Sequence, residues 1–159
     1  MSATAATVSV ESALAHGMRM LEQDPPLAAE QARQVLEASP GHPVARLLLG
    51  MAHNALDEPS PALALLQPLS VEQPSAPRVW MALGAAYAAL DQRLEAMEAL
   101  GHAARLQPGL PRVWLQLAGL RDAGGDRAGA AEAYLAHTRN GIHDPPPPTP
   151  PPPPPPPPP

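Results

Sequence analysis

Six histidines, fifteen carboxylates, ten arginines and two tyrosines carry the side-chain chemistry of this chain, which has neither cysteine nor lysine. Without cysteine there is no disulfide, thiol nucleophile or thiolate metal site. The histidines are His16, His42, His53, His102, His137 and His143, and none lies three or four residues from another. A metal site on one helix usually needs that spacing. No Gly-rich phosphate loop, nucleophile elbow or Ser, His and Asp constellation stands out, and the carboxylates are scattered. These residues predict no catalysis and no cofactor. What remains is a pair of arginines, Arg78 and Arg112, each second in an identical quartet, PRVW, at 77–80 and 111–114. Two guanidinium groups at equivalent places of a repeated unit are suited to gripping a carboxylate or a peptide carbonyl.

The elements that position them follow from the repetition. At a step of 34, PVARLLLGMAHNALDE (43–58), PRVWMALGAAYAALDQ (77–92) and PRVWLQLAGLRDAGGD (111–126) align without a gap. Leu49, Leu83 and Leu117 share a column, as do Gly50, Gly84 and Ala118. The second halves keep the step through Ala62, Ala96 and Ala130, and through Leu66, Leu100 and Tyr134. A fourth unit fits over 9–42, its first half displaced by one residue, with Gly17 rather than His16 at the small position. Such periods mark repeat architectures.

Within a unit the pattern is helical. Val79, Trp80, Leu83 and Tyr87 recur at three- and four-residue intervals along one face, and Gly84 and Ala85 are small where another helix comes close. Pro43, Pro77 and Pro111 suit first helical turns, and Ser60 before Pro61 reads as an N-cap. Pro40, Pro74 and Pro108 close the units. Pro68 falls inside a second helix, where a kink is expected because it lacks the N–H and crowds the carbonyl of Ala64.

The pattern resembles the tetratricopeptide repeat over about 9–140. Trp80, Leu83, Gly84, Tyr87, Ala96, Leu100, Ala103 and Pro108 match the signature in 77–110; the preceding unit has Arg46 and His53 in the Trp and Tyr places, and the following one has Arg121 for Tyr. The resemblance implies an all-α, right-handed superhelical solenoid of four helix-turn-helix units at 9–42, 43–76, 77–110 and 111–140. Residues 1–8 are expected to be a disordered N-terminus and 141–159 a proline-rich tail. It further implies a concave groove lined by the first helices, at Val44, Leu47, Met51, Asn54, Arg78, Met81, Ala85, Ala88, Arg112, Leu115, Gly119 and Asp122, for a peptide or helix of a protein partner. Leu47, Met51, Met81 and Leu115 would form an apolar strip there, with methionines adapting to irregular partners. A lysine-based clamp for a C-terminal carboxylate is not expected, since Leu47, Met51, Met81 and Ala82 take its places.

Two stretches, 29–50 and 125–145, are also similar to the repeat region ahead of the catalytic domain in bacterial sulfotransferases that carry tetratricopeptide repeats. That resemblance implies a non-catalytic portion of a larger enzyme. The tail DPPPPTPPPPPPPPPP predicts a polyproline II rod of about 3.1 Å per residue, roughly 45 Å in all, and a third possible role as ligand of a proline-binding domain. At the last unit, Ala130, Ala133, Tyr134 and His137 have no obvious successor to pack on, so either that end pairs with another copy or a partner, or the last helix frays; self-association is the favoured expectation. The net charge of −5 with no basic cluster argues against nucleic acid. No apolar run of about 18 residues suggests a membrane span, and the start MSATAATVSVESALAHG has no basic residue ahead of its apolar part. A cytoplasmic chain is expected, and the wealth of Ala, Arg, Gly and Pro reads as GC-rich bacterial coding sequence.

Overall fold

Eight helices in sequence make up the computed structural model, which describes residues 2–139, with side chains from Val10 onward. They are α1 Ser2–Met20, α2 Pro25–Ala38, α3 Pro43–Ala55, α4 Pro59–Glu72, α5 Pro77–Ala89, α6 Arg93–Leu106, α7 Pro111–Ala123 and α8 Arg127–Arg139. Each helix packs on the next, and the first helices of consecutive units also meet, α1 on α3 and α3 on α5. This is a solenoid of four helix pairs, with no strand among the described residues. α1 begins at Ser2 and so takes in residues 2–8, which the repeat pattern leaves outside the first unit. The proline tail expected over 141–159 lies outside the described residues.

The turn inside each unit repeats as closely as the sequence does. Asp57, Asp91 and Gly125 all adopt positive φ, at 59°, 57° and 83°, one step apart. Asp tolerates this left-handed geometry better than most residues and Gly adopts it freely. One residue later, the amides of Glu58, Gln92 and Asp126 donate to the carbonyls of His53, Tyr87 and Arg121, each at 2.9 Å, which satisfies a carbonyl at the end of the first helix. Between units, the amides of Ser39, Gln73 and Gln107 cap the second helices on Val35, Leu69 and Ala103.

One local expectation changes. α4 starts at Pro59 rather than after Ser60, with Glu58 at the N-cap. The Glu58 carboxylate makes no cap bond because it lies 2.6 Å from His53 Nδ1 on the preceding helix. α4 also runs through Pro68 to Glu72 as one helix. Pro68 and Ala64 are both on the exposed side, where water can serve the carbonyl that the proline leaves without its donor.

Tight contact between the paired helices explains the small-residue column. A Cβ at Gly50 would lie 2.8 Å from Leu66 Cγ, and one at Gly84 would lie 2.7 Å from Leu100 Cγ, so the missing side chain is what lets each leucine in. Leu66 and Leu100 are almost fully buried as a result. The buried residues then run on from unit to unit: Val79, Ala82 and Leu83 share a cluster with Leu47, Ala62, Leu66 and Leu69 of the unit before. In the third and fourth units the indoles of Trp80 and Trp114 donate to the carbonyls of Pro74 and Pro108, both at 2.8 Å, pinning the connecting loop. Arg46 stands in that place in the second unit and instead pairs with Glu72 at 2.6 Å. Its hydrogen bond, with some help from its charge, holds the Glu72 carboxyl below the usual carboxylate range.

The Gly84 contact makes a direct prediction. Gly84→Val drives a branched side chain into Leu100 and is expected to cost about 1–3 kcal/mol, read as a lowered urea midpoint with an unchanged slope. Gly101→Ala, whose Cβ would meet nothing nearer than Arg105 Nη1 at 3.6 Å, is expected to stabilise by about 0.5–1 kcal/mol.

Candidate functional site

One groove of about 930 Å³ runs along the first helices of all four units. The first unit contributes Met18, Arg19, Leu21, Glu22 and Pro25; the second contributes Met51, Asn54 and Ala55. The third contributes Arg78, Met81, Ala82 and Ala85, and the fourth Leu110, Arg112 and Gln116. Six of the twelve residues expected in the groove therefore line it: Met51, Asn54, Arg78, Met81, Ala85 and Arg112.

The other six, Val44, Leu47, Ala88, Leu115, Gly119 and Asp122, do not. Leu47 is only 9% exposed and packs with Val79 and Ala82 of the next unit, so it holds repeats together rather than facing a ligand. Met81 and Leu115 occupy the same column, and exposure rises along it, to 42% at Leu115. Among the described residues no further unit covers Leu115, which accounts for the trend. Asp122 is exposed near the end of α7, away from the groove lining. Of the lining residues missed, Met18, Leu21 and Glu22 are those that match Met51, Asn54 and Ala55 once the one-residue displacement of the first unit is applied.

Polar groups give the groove its character. Asn54 donates from Nδ2 to the Ala82 carbonyl at 2.8 Å, tying α3 to α5, while its buried Oδ1 has no partner. Arg112 Nη2 lies 3.5 Å from Glu22 Oε1, an ion pair that reaches from the last unit to the first. Both side chains are at least three-quarters exposed, so the pair contributes little to stability. It does show that a carboxylate can sit at this end of the groove. Arg78, one repeat away, is exposed and forms no ion pair among the described residues.

At the C-terminal end, Ala130, Ala133 and His137 prove to be buried against α7 of their own unit, with His137 Nδ1 2.9 Å from the Pro111 carbonyl. Tyr134 beside them is half-buried. What α8 leaves outside is Leu135, 60% exposed. No group of three His, Cys, Asp or Glu among the described residues could hold a metal ion, and no helix among them is long and apolar enough to cross a membrane.

Comparison with known proteins agrees with this architecture. Residues 19–86 match the family described as tetratricopeptide repeat. A thermophilic TPR protein of Thermus thermophilus superposes with a TM-score of 0.75 at 21% identity, covering 82% of this chain and 73% of that one. MamA from Desulfovibrio magneticus gives 0.72 at 23% identity, covering 82% and 75%. Another crystal structure of MamA gives 0.70 at 21%, covering 82% and 77%. No curated protein matches the sequence. The fold is that of a tetratricopeptide-repeat solenoid, an architecture suited to holding other proteins.

Burial along the leucine column separates packing from binding roles. Leu47→Ala is expected to cost about 2–5 kcal/mol in chemical denaturation, as for a buried leucine. Leu115→Ala, at the equivalent exposed place, is expected to change stability by less than about 0.5 kcal/mol.

Proposed function

We propose that this chain is a non-catalytic interaction scaffold whose groove seats a peptide segment bearing apolar side chains and at least one carboxylate. The observation that carries the reading is the groove shared by all four units, with Met18, Met51 and Met81 along its floor and Arg78 and Arg112 spaced one repeat apart. Flexible thioethers adapt to varied apolar side chains. The guanidinium groups supply charge-assisted hydrogen bonds to carboxylates. Glu22 supports the same chemistry from within the chain, since its carboxylate already lies beside Arg112. A ligand carboxylate displaces Glu22 at small cost, because the exposed pair is worth at most about 1 kcal/mol.

The test is binding to an array of short acidic-apolar peptides by the full chain, a chain ending at Asp144 and the Arg78→Ala/Arg112→Ala variant. The first two are expected to bind alike, and the double variant about tenfold more weakly, equivalent to about 1.4 kcal/mol. Glu22→Gln is expected to bind slightly more tightly than the native chain. Binding that ignores both arginines removes the groove from the account, and binding lost with residues 145–159 transfers the role to the proline tail.

A further inference from the structure

On the opposite side of α7 from Arg112 and Gln116, a second cleft of about 990 Å³ lies between α6 and α7. It shares no residue with the groove. Its origin is visible when the units are compared in register. Between α4 and α5 the same space is bridged by Gln67, whose Nε2 donates to the Tyr87 hydroxyl at 2.9 Å. One step later, Gln67 becomes Gly101 and Tyr87 becomes Arg121. Gly101 leaves open space, with only Arg105 Nη1 at 3.6 Å from where a Cβ would stand. Arg121 donates instead to the Gly129 carbonyl at 3.0 Å and bridges to nothing on α6. Both bridging side chains are gone, and Met97, Trp114, Leu117 and Leu120 are left lining the opening.

The charges around this opening favour an anion. Arg93, Arg105 and Arg121 face it against Glu98 and Asp126, a local excess of positive charge on a chain whose net charge is −5. Asp126 is engaged as acceptor of the Gly129 amide at 2.9 Å, and Arg93 pairs loosely with Asp91 at 3.6 Å. Arg105 has no ion-pair partner among the described residues. The volume is at the upper end of that typical for small-ligand sites, and an apolar lining with a few convergent polar groups is their usual make-up.

We propose that this cleft is a second binding site, distinct from the peptide groove, for a small amphiphilic anion: an aryl or acyl group seated in the Gly101 notch, with its anionic head on Arg105. The site is independent of the groove and does not rest on its assignment.

The probe is 1-anilinonaphthalene-8-sulfonate, titrated by fluorescence against the full chain, with neutral N-phenyl-1-naphthylamine as the uncharged counterpart. The Gly101→Gln/Arg121→Tyr variant restores the bridge found between α4 and α5 and is expected to weaken the sulfonate by about tenfold or more, since it fills the apolar seat. Arg105→Ala is expected to weaken the sulfonate about threefold and leave the neutral probe unchanged, as for a single exposed charge contact. Arg78→Ala/Arg112→Ala is expected to change neither. If circular dichroism shows that the bridged variant loses helix, Gly101→Gln alone, whose Cβ meets nothing nearer than Arg105 Nη1 at 3.6 Å, fills the notch and reads the same question. Sulfonate binding that survives the filled notch, or no saturable binding to the native chain, overturns the proposal.

Discussion

The close approach of two helices at a residue without a side chain is the constraint on which this array depends. Gly50 admits Leu66 and Gly84 admits Leu100 at distances no Cβ would allow. That contact sets the angle of each pair, and the angle determines which residues are left to meet the following pair. The last unit solves the same problem with Ala118 and Tyr134 at the matching places. Because each unit contacts little beyond its neighbours, an array of this kind distributes its stability among local contacts of this sort.

Repetition also decides where variation is tolerated. The left-handed turn position is kept in all three well-matched units, as Asp57, Asp91 and Gly125, since the chain must reverse there. The loop anchor is kept in purpose while its chemistry changes, from the indoles of Trp80 and Trp114 to the Arg46–Glu72 pair. Where two departures fall on facing places, as at Gly101 and Arg121, the packing opens and a cleft results. The two concavities thus have different origins. The groove arises from the stacking of first helices, and the cleft arises from a local loss of side chains.

Much of this was legible before any coordinates. The step of 34, the paired helices and the small-residue column follow from periodicity, because burial imposes the same residue types at the same places. Six of the twelve groove residues could be placed on one face for the same reason. Leu47 could not be assigned correctly, because its column is buried by a following unit in one place and bare in another, and sequence position alone does not say which. Met18, Leu21 and Glu22 were obscured by the single-residue displacement of the first unit. The start of α4 depended on a side chain, Glu58, being drawn to His53 instead of capping its own helix. The α6–α7 cleft depended on which acceptor Arg121 takes, and no spacing rule reports that.

The central claim is that binding takes place on the first helices. Amide chemical-shift mapping on the full chain, titrated with a short acidic-apolar peptide, addresses it most directly. The account predicts shifts clustered at Met18, Met51, Arg78 and Arg112, on α1, α3, α5 and α7. Shifts confined to α2, α4, α6 and α8, with those four residues unmoved, would contradict it.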